Sequence, residues 1–147
     1  MTKHATPALT ADIIIELLDD EDRPIILIER LNPPYGWAIP GGFADVGERI
    51  EATAVREAKE EVCLDVTLKA LLGLYSDPKR DQRGHTVTAV YVAEAHGMPC
   101  PADDAKNLII IHPDKIDMPL AFDHAQVLAD YRNYRNNGAV TPLRFEP

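Results

Sequence analysis

The chain has 147 residues, and its 24 Asp and Glu against 15 Lys and Arg give a formal net charge of −9. That length suits one domain, residues 1–147, around one core, and a composition 46% hydrophobic and 27% charged is that of a soluble globular protein. The acidity argues against a duplex nucleic-acid partner and against an anionic membrane surface, and the longest aliphatic run, Leu108–Ile111, is far too short to span a bilayer.

Residues 8–18 and 24–30 have β-branched apolar cores around the polar turn 19–22, which predicts a β-hairpin. Asn32 to Gly36 is a loop by its turn residues. Trp37–Ile39 is a short extended piece, and Pro40-Gly41-Gly42 is expected to break regular structure. Residues 48–62 lack Gly and Pro and are rich in helix formers, which predicts a helix with Val55, Ala58 and Val62 on its packing stripe. Strands are expected at 66–76, 85–95 and 108–111, with a charged loop at 77–84. A last helix is expected at 124–137, started by an Asp123–Gln126 capping pair and ended by Gly138. Strands, helix, strands, helix in that order imply an α/β fold, a mixed sheet with helices on both faces. No apolar stretch with a cleavage site follows Lys3 and His4, so no secretory signal is read. Cys63 and Cys100 form no CxxC pair and no disulfide framework, so the expected location is a reducing cytoplasm, with Cys63 a buried helix-end thiol.

Glu57, Glu60 and Glu61 stand at i, i+3 and i+4 and share an arc of about 100° on one helix face. Such a cluster is either a solvated face or a set of hard oxygen ligands for Mg²⁺ or Mn²⁺. Gly42 and Gly47 have the separation of a phosphate-binding P-loop, but Glu48 and Arg49 follow where Lys and Ser or Thr would be needed. A lysine therefore does not hold phosphate here, and the site is metal-first.

Gly42, five residues, Glu48, seven residues, then Arg56-Glu57-Ala58-Lys59-Glu60-Glu61-Val62-Cys63-Leu64 resembles the Nudix box, with Cys63 in place of its final glycine. Residues 32–42 and 74–88, including Pro78 fourteen residues after Leu64, resemble the ADP-ribose pyrophosphatases of that superfamily. The resemblance implies a Nudix-type α/β/α sandwich that hydrolyses a nucleoside diphosphate linked to another moiety with Mg²⁺ or Mn²⁺. Glu60 and Glu61 would be the main metal ligands, Gly41 would offer its carbonyl, and Glu57 would ligate metal or orient water. Arg56 would hold these carboxylates, and Glu48 would fix the loop. The catalytic base is left open: Asp103 or Asp104 could serve, or the pair is a solvated acidic turn.

For the substrate, Pro78 is counted with the binding loop, and Arg80, Arg83 and His85 after it could contact phosphate or ribose, or form a solvated basic loop. Tyr35 and Trp37 could stack on adenine, or pack. His112 and His124 read as structural. The expected reaction is ADP-ribose to AMP and ribose 5-phosphate. The alternatives are oxidised nucleoside triphosphates or dinucleoside polyphosphates as substrates, or a non-catalytic ADP-ribose-binding module. Relatives are often homodimers, so a homodimer is the implied assembly. Residues 42–64 hold six acids and three bases, a third of the net charge, so the anionic substrate is expected to arrive on a metal bridge.

Overall fold

The computed structural model describes residues 5–102 and 105–146. Seven strands, two α-helices and a 3-10 turn follow one another: β1 (Ala8–Leu17), β2 (Ile25–Arg30), β3 (Trp37–Ala38), β4 (Gly41–Phe43), α1 (Ile50–Val62), β5 (Thr67–Tyr75), β6 (Thr86–Ala95), β7 (Ala105–Ile111), the turn Pro113–Lys115 and α2 (His124–Asn137). All strands belong to one mixed sheet. β1 runs parallel to β6 over its full length and antiparallel to β2 and β4, β5 pairs antiparallel with β6, and β3 and β7 pair antiparallel with β2.

The alternation of β1 assigns its two faces. Ala11, Ile13 and Ile15 point into one core with Ala54, Ala58 and Val62 of α1. Ile14 points into the other, with Val127, Leu128 and Tyr131 of α2. Helices thus cover both faces, as the order of elements implies.

The sheet forks. β1 and β2 share only the register pair Glu16–Ile25 at their closed end. Beyond it β3 lines the lip formed by β2, and β4 lines the lip formed by β1. The chain crosses between the lips at Ile39-Pro40, where the Pro40 carbonyl accepts the Ile13 N–H at 2.8 Å. The expected break at Pro40-Gly41-Gly42 is therefore a strand at the glycines. A Cβ at Gly41 would lie 2.2 Å from Asp12 Oδ1 and one at Gly42 2.4 Å from the Glu57 carboxyl carbon, so side-chain-free backbone is what lets this strand fit.

Three further expectations need correction. Val55 is 40% exposed, and the packing stripe of α1 is Ala54, Ala58 and Val62 with Thr53 and Glu57 beside it. Asp123 does not cap α2 through its side chain: Gln126 N–H goes to the Asp123 backbone carbonyl, while the carboxylate binds Arg80. Cys63 and Cys100 are joined in a disulfide, S–S 1.97 Å. Cys63 ends α1 in the left-handed conformation, φ 65°, and its N–H caps the Lys59 carbonyl. The residue that departs from the glycine of the box keeps the glycine conformation and adds a crosslink. The cysteines, being paired, no longer argue for a reducing compartment. Among the described residues no helix is long and apolar enough to cross a membrane.

Candidate active site

A cavity of about 510 Å³ opens at the fork. Its walls come from both lips of the sheet, with Thr10, Asp12 and Gly41–Phe43 on one side and Ile28 and Arg30–Pro33 on the other. α1 contributes Arg56, Glu57 and Glu61, the loop after β5 contributes Arg80, Asp81 and Arg83, and the start of α2 contributes Phe122 and His124.

Arg56 organises the acidic wall. Its Nε donates to Glu48 Oε2 at 2.8 Å, its Nη1 to Glu57 Oε1 at 3.0 Å and Glu60 Oε2 at 3.2 Å, and its Nη2 to the Phe43 carbonyl at 3.0 Å. Surrounding carboxylates hold the guanidinium charged, with its pKa moved further up by the Glu48 hydrogen bond above all. Glu48 also accepts from Thr53 Oγ1 at 2.6 Å and the Asp45 N–H at 3.1 Å. These bonds, Arg56 first, pull its pKa from the ordinary 4.5 to about 2. A carboxylate depressed on folding stabilises the fold above its unfolded pKa and loses that contribution as pH falls through the folded value. Glu48→Gln should therefore flatten the pH dependence of thermal stability between about pH 4.5 and 2. Parallel Tm profiles of wild type and variant in that window would remove Glu48 as the loop's anchor.

Glu57 is buried against the Gly42 backbone, and Glu61 lines the cavity one turn on. Glu60 is exposed, leans on Arg56 and is absent from the cavity wall. Among the described residues no three His, Cys, Asp or Glu side chains are already gathered as a metal cage. The donor set is nonetheless that of a hard divalent cation: carboxylates and a glycine backbone close enough to touch them. Asp103 and Asp104 lie outside the described residues.

The cavity is also rich in arginine. Arg80 is buried and forks onto Asp123 at 2.8 and 3.0 Å while donating to Thr86 Oγ1 at 2.7 Å, so it ties its loop to the start of α2. Arg83 forks onto Asp81. Burial pushes the Asp81 carboxyl up, but hydrogen bonds from the Arg83 side chain and backbone outweigh it and leave the net shift downward. Arg30 Nε donates to the Pro34 carbonyl at 2.7 Å. Burial and then the charge of Arg83 lower its own pKa. The guanidinium groups of Arg30, Arg80 and Arg83 stand 4.8, 5.9 and 5.3 Å from the centre of the Phe122 ring.

Of the sequence-predicted substrate contacts, Arg80 and Arg83 reach the cavity. Tyr35, 70% exposed, Trp37, packed on the α2-side core, Pro78, exposed, and His85, bonded to the Ser76 carbonyl, are not among its lining residues. Sequence reasoning missed Asp12, Arg30, Asp81 and Phe122, and left His124 as purely structural. Asp12 carried a readable signal, an acid inside an apolar strand. Phe122 and His124 carried none, because only the docking of α2 brings them to the fork.

A NUDIX domain model matches residues 7–131. A Methanocaldococcus jannaschii protein named ADP-ribose pyrophosphatase is 42% identical over 134 residues, covering 88% of this chain and 76% of that one. The ADPR responsive transcriptional repressor NtrR of Acinetobacter baylyi is 29% identical, and the match covers 85% of this chain but only 53% of the repressor. Among solved structures, the NUDIX domain of Shewanella oneidensis NrtR complexed with ADP ribose superposes with a TM-score of 0.76 at 27% identity, covering 90% of each chain. The domain match runs from β1 through the carboxylate helix into α2, across both layers that wall the cavity, and the chain belongs to the Nudix family.

Proposed function

We propose that this chain hydrolyses the diphosphate bridge of a nucleoside diphosphate sugar, with ADP-ribose as substrate and AMP and ribose 5-phosphate as products. The observation that carries the reading is one cavity that gathers carboxylates, Glu57 and Glu61, together with arginines, Arg30, Arg80 and Arg83. The relatives named for ADP-ribose support the choice of substrate.

Dependence on a divalent cation is typical of the family, and Glu57, Glu60, Glu61 and the Gly41 carbonyl are the groups that would hold Mg²⁺ or Mn²⁺. Bound cations would neutralise the diphosphate and acidify a water for attack on phosphorus. Arg56 holds Glu57 and Glu60 in place through Nη1 before any cation arrives. Arg30 and Arg83 offer planar N–H donors to phosphate oxygens in the cavity. Asp104, or its neighbour Asp103, is the proposed acceptor of the water proton. Attack forms one P–O bond and breaks the bridging P–O bond, and the leaving phosphate keeps that electron pair.

A non-catalytic ADP-ribose-binding role is the second reading, favoured by the likeness to repressor domains. The complete set of helix carboxylates opposes it. Incubation of the full chain with Mg²⁺ and a panel of ADP-ribose, dinucleoside polyphosphates and oxidised nucleoside triphosphates decides. AMP released preferentially from ADP-ribose is the expected outcome. Binding without product would establish the second reading, and preference for a triphosphate would overturn the substrate.

A further inference from the structure

At the floor of the cavity, on the α2 side of the sheet, two nearly buried groups face each other and have no part in the acidic wall. His124 is 1% exposed and Asp12 8% exposed. His124 Nδ1 accepts the Ile39 N–H at 3.0 Å, so the neutral ring carries its proton on Nε2. That Nε2 has no hydrogen-bond partner among the described residues and stands 3.5 Å from Asp12 Oδ2. Asp12 Oδ2 in turn accepts from Thr88 Oγ1 at 2.8 Å. The pair is held firmly. Thr88 and the Gly41 backbone fix Asp12, and the crossing at Ile39 fixes His124.

We propose that His124 and Asp12 form a hydroxyl-reading pair that selects a ribose of the substrate. Nε2 is covered as the side chains stand, so the ring and the carboxylate, 3.5 Å apart at the cavity wall, have to part slightly to admit one oxygen about 2.8 Å from each. That oxygen has to accept from Nε2–H and donate to Asp12. A hydroxyl does both, whereas a phosphate oxygen only accepts and would be repelled by the carboxylate, and an ammonium only donates. A buried donor without a partner disfavours the empty site, so satisfying it favours the ligand that carries the hydroxyl. The pair lies across the Gly41-Gly42 strand from Glu57, so a diphosphate held by the acidic wall would place a flanking sugar within its reach. The inference rests on the nucleoside diphosphate sugar reading of the site, and either ribose of ADP-ribose could supply the hydroxyl.

The test is calorimetric binding to the full chain with Mg²⁺, using the non-hydrolysable α,β-methylene analogue of ADP-ribose. Two counterparts accompany it, one lacking the adenosine ribose hydroxyls and one with the distal ribose replaced by an alkyl ester. His124→Asn keeps an acceptor for the Ile39 N–H and removes the Nε2 donor. It should weaken the parent analogue about 5- to 30-fold. It should leave the counterpart that lacks the recognised hydroxyl unchanged, which identifies the ribose. Asp12→Asn, checked for an unchanged Tm, should repeat the pattern. Equal losses for all three ligands, or no loss, overturn the proposal and leave Nε2 with bound water only. Failure of the unaltered chain to bind any of the three overturns it together with the substrate reading. The expected pattern in a chain that does not turn ADP-ribose over sinks hydrolysis alone.

Discussion

Glu61→Gln should lower kcat for ADP-ribose hydrolysis by about 10²- to 10³-fold, equivalent to about 3–4 kcal/mol of transition-state stabilisation. The reasoning is electrostatic. A diphosphate repels an anionic nucleophile until its charge is offset, and Glu61 lines the cavity together with Glu57. Gln keeps the volume and removes the charge, so the fold should be unaffected and the Mg²⁺ concentration for half-maximal rate should rise. Exposed Glu60, held by Arg56, provides the contrast: Glu60→Gln weakens one of the two carboxylate bonds of Arg56 Nη1 as well as removing a proposed ligand, so its effect mixes positioning with binding. Steady-state rates across a Mg²⁺ titration separate the two. Wild-type kcat and Mg²⁺ dependence in Glu61→Gln would dismiss it as a metal ligand.

Reduction of the Cys63–Cys100 disulfide should lower stability by about 4 kcal/mol, the loop-closure value for a separation of 37 residues. For a chain of this size that corresponds to a fall in Tm of about 8–15 °C. Cys100→Ser should match the reduced wild type. Cys63→Gly relieves about 1 kcal/mol of left-handed backbone cost at φ 65° and still loses the crosslink, so restoring the glycine of the box should destabilise the chain. Thermal unfolding with and without a dithiol reductant tests this, and coincident melting curves would dismiss the crosslink as a source of stability.

The elements were legible because their signals are local. α1 announced itself by helix formers between breakers, and the spacing of its carboxylates placed them on one face. The double glycine was visible as a motif but not as a strand, because its conformation is set by how closely Asp12 and Glu57 press on either side. The disulfide was illegible for a related reason: a separation of 37 residues says nothing until the chain past β6 returns to the end of α1, where Cys100 N–H meets the Val62 carbonyl. Asp123 misled because a capping residue and an arginine partner look alike in sequence. Tyr35 and Trp37 were chosen for chemistry that aromatic rings offer anywhere, and the α2-side core uses Trp37 for packing.

The fork in the sheet carries a consequence for how the enzyme meets its substrate. The lips of the slot are strands of one sheet, fastened at the closed end by the Glu16–Ile25 pair and bridged by Ile39-Pro40. No hinge separates them, so the width of the slot is set by the same apolar side chains, Ile13 and Ile15 on one face and Ile14 and Leu27 on the other, that hold the fold together. Selectivity by size is thus coupled to core packing. A methylene added or removed beneath the strands alters the aperture above them, and adaptation to a new substrate has to come from the rim loops or be traded against stability.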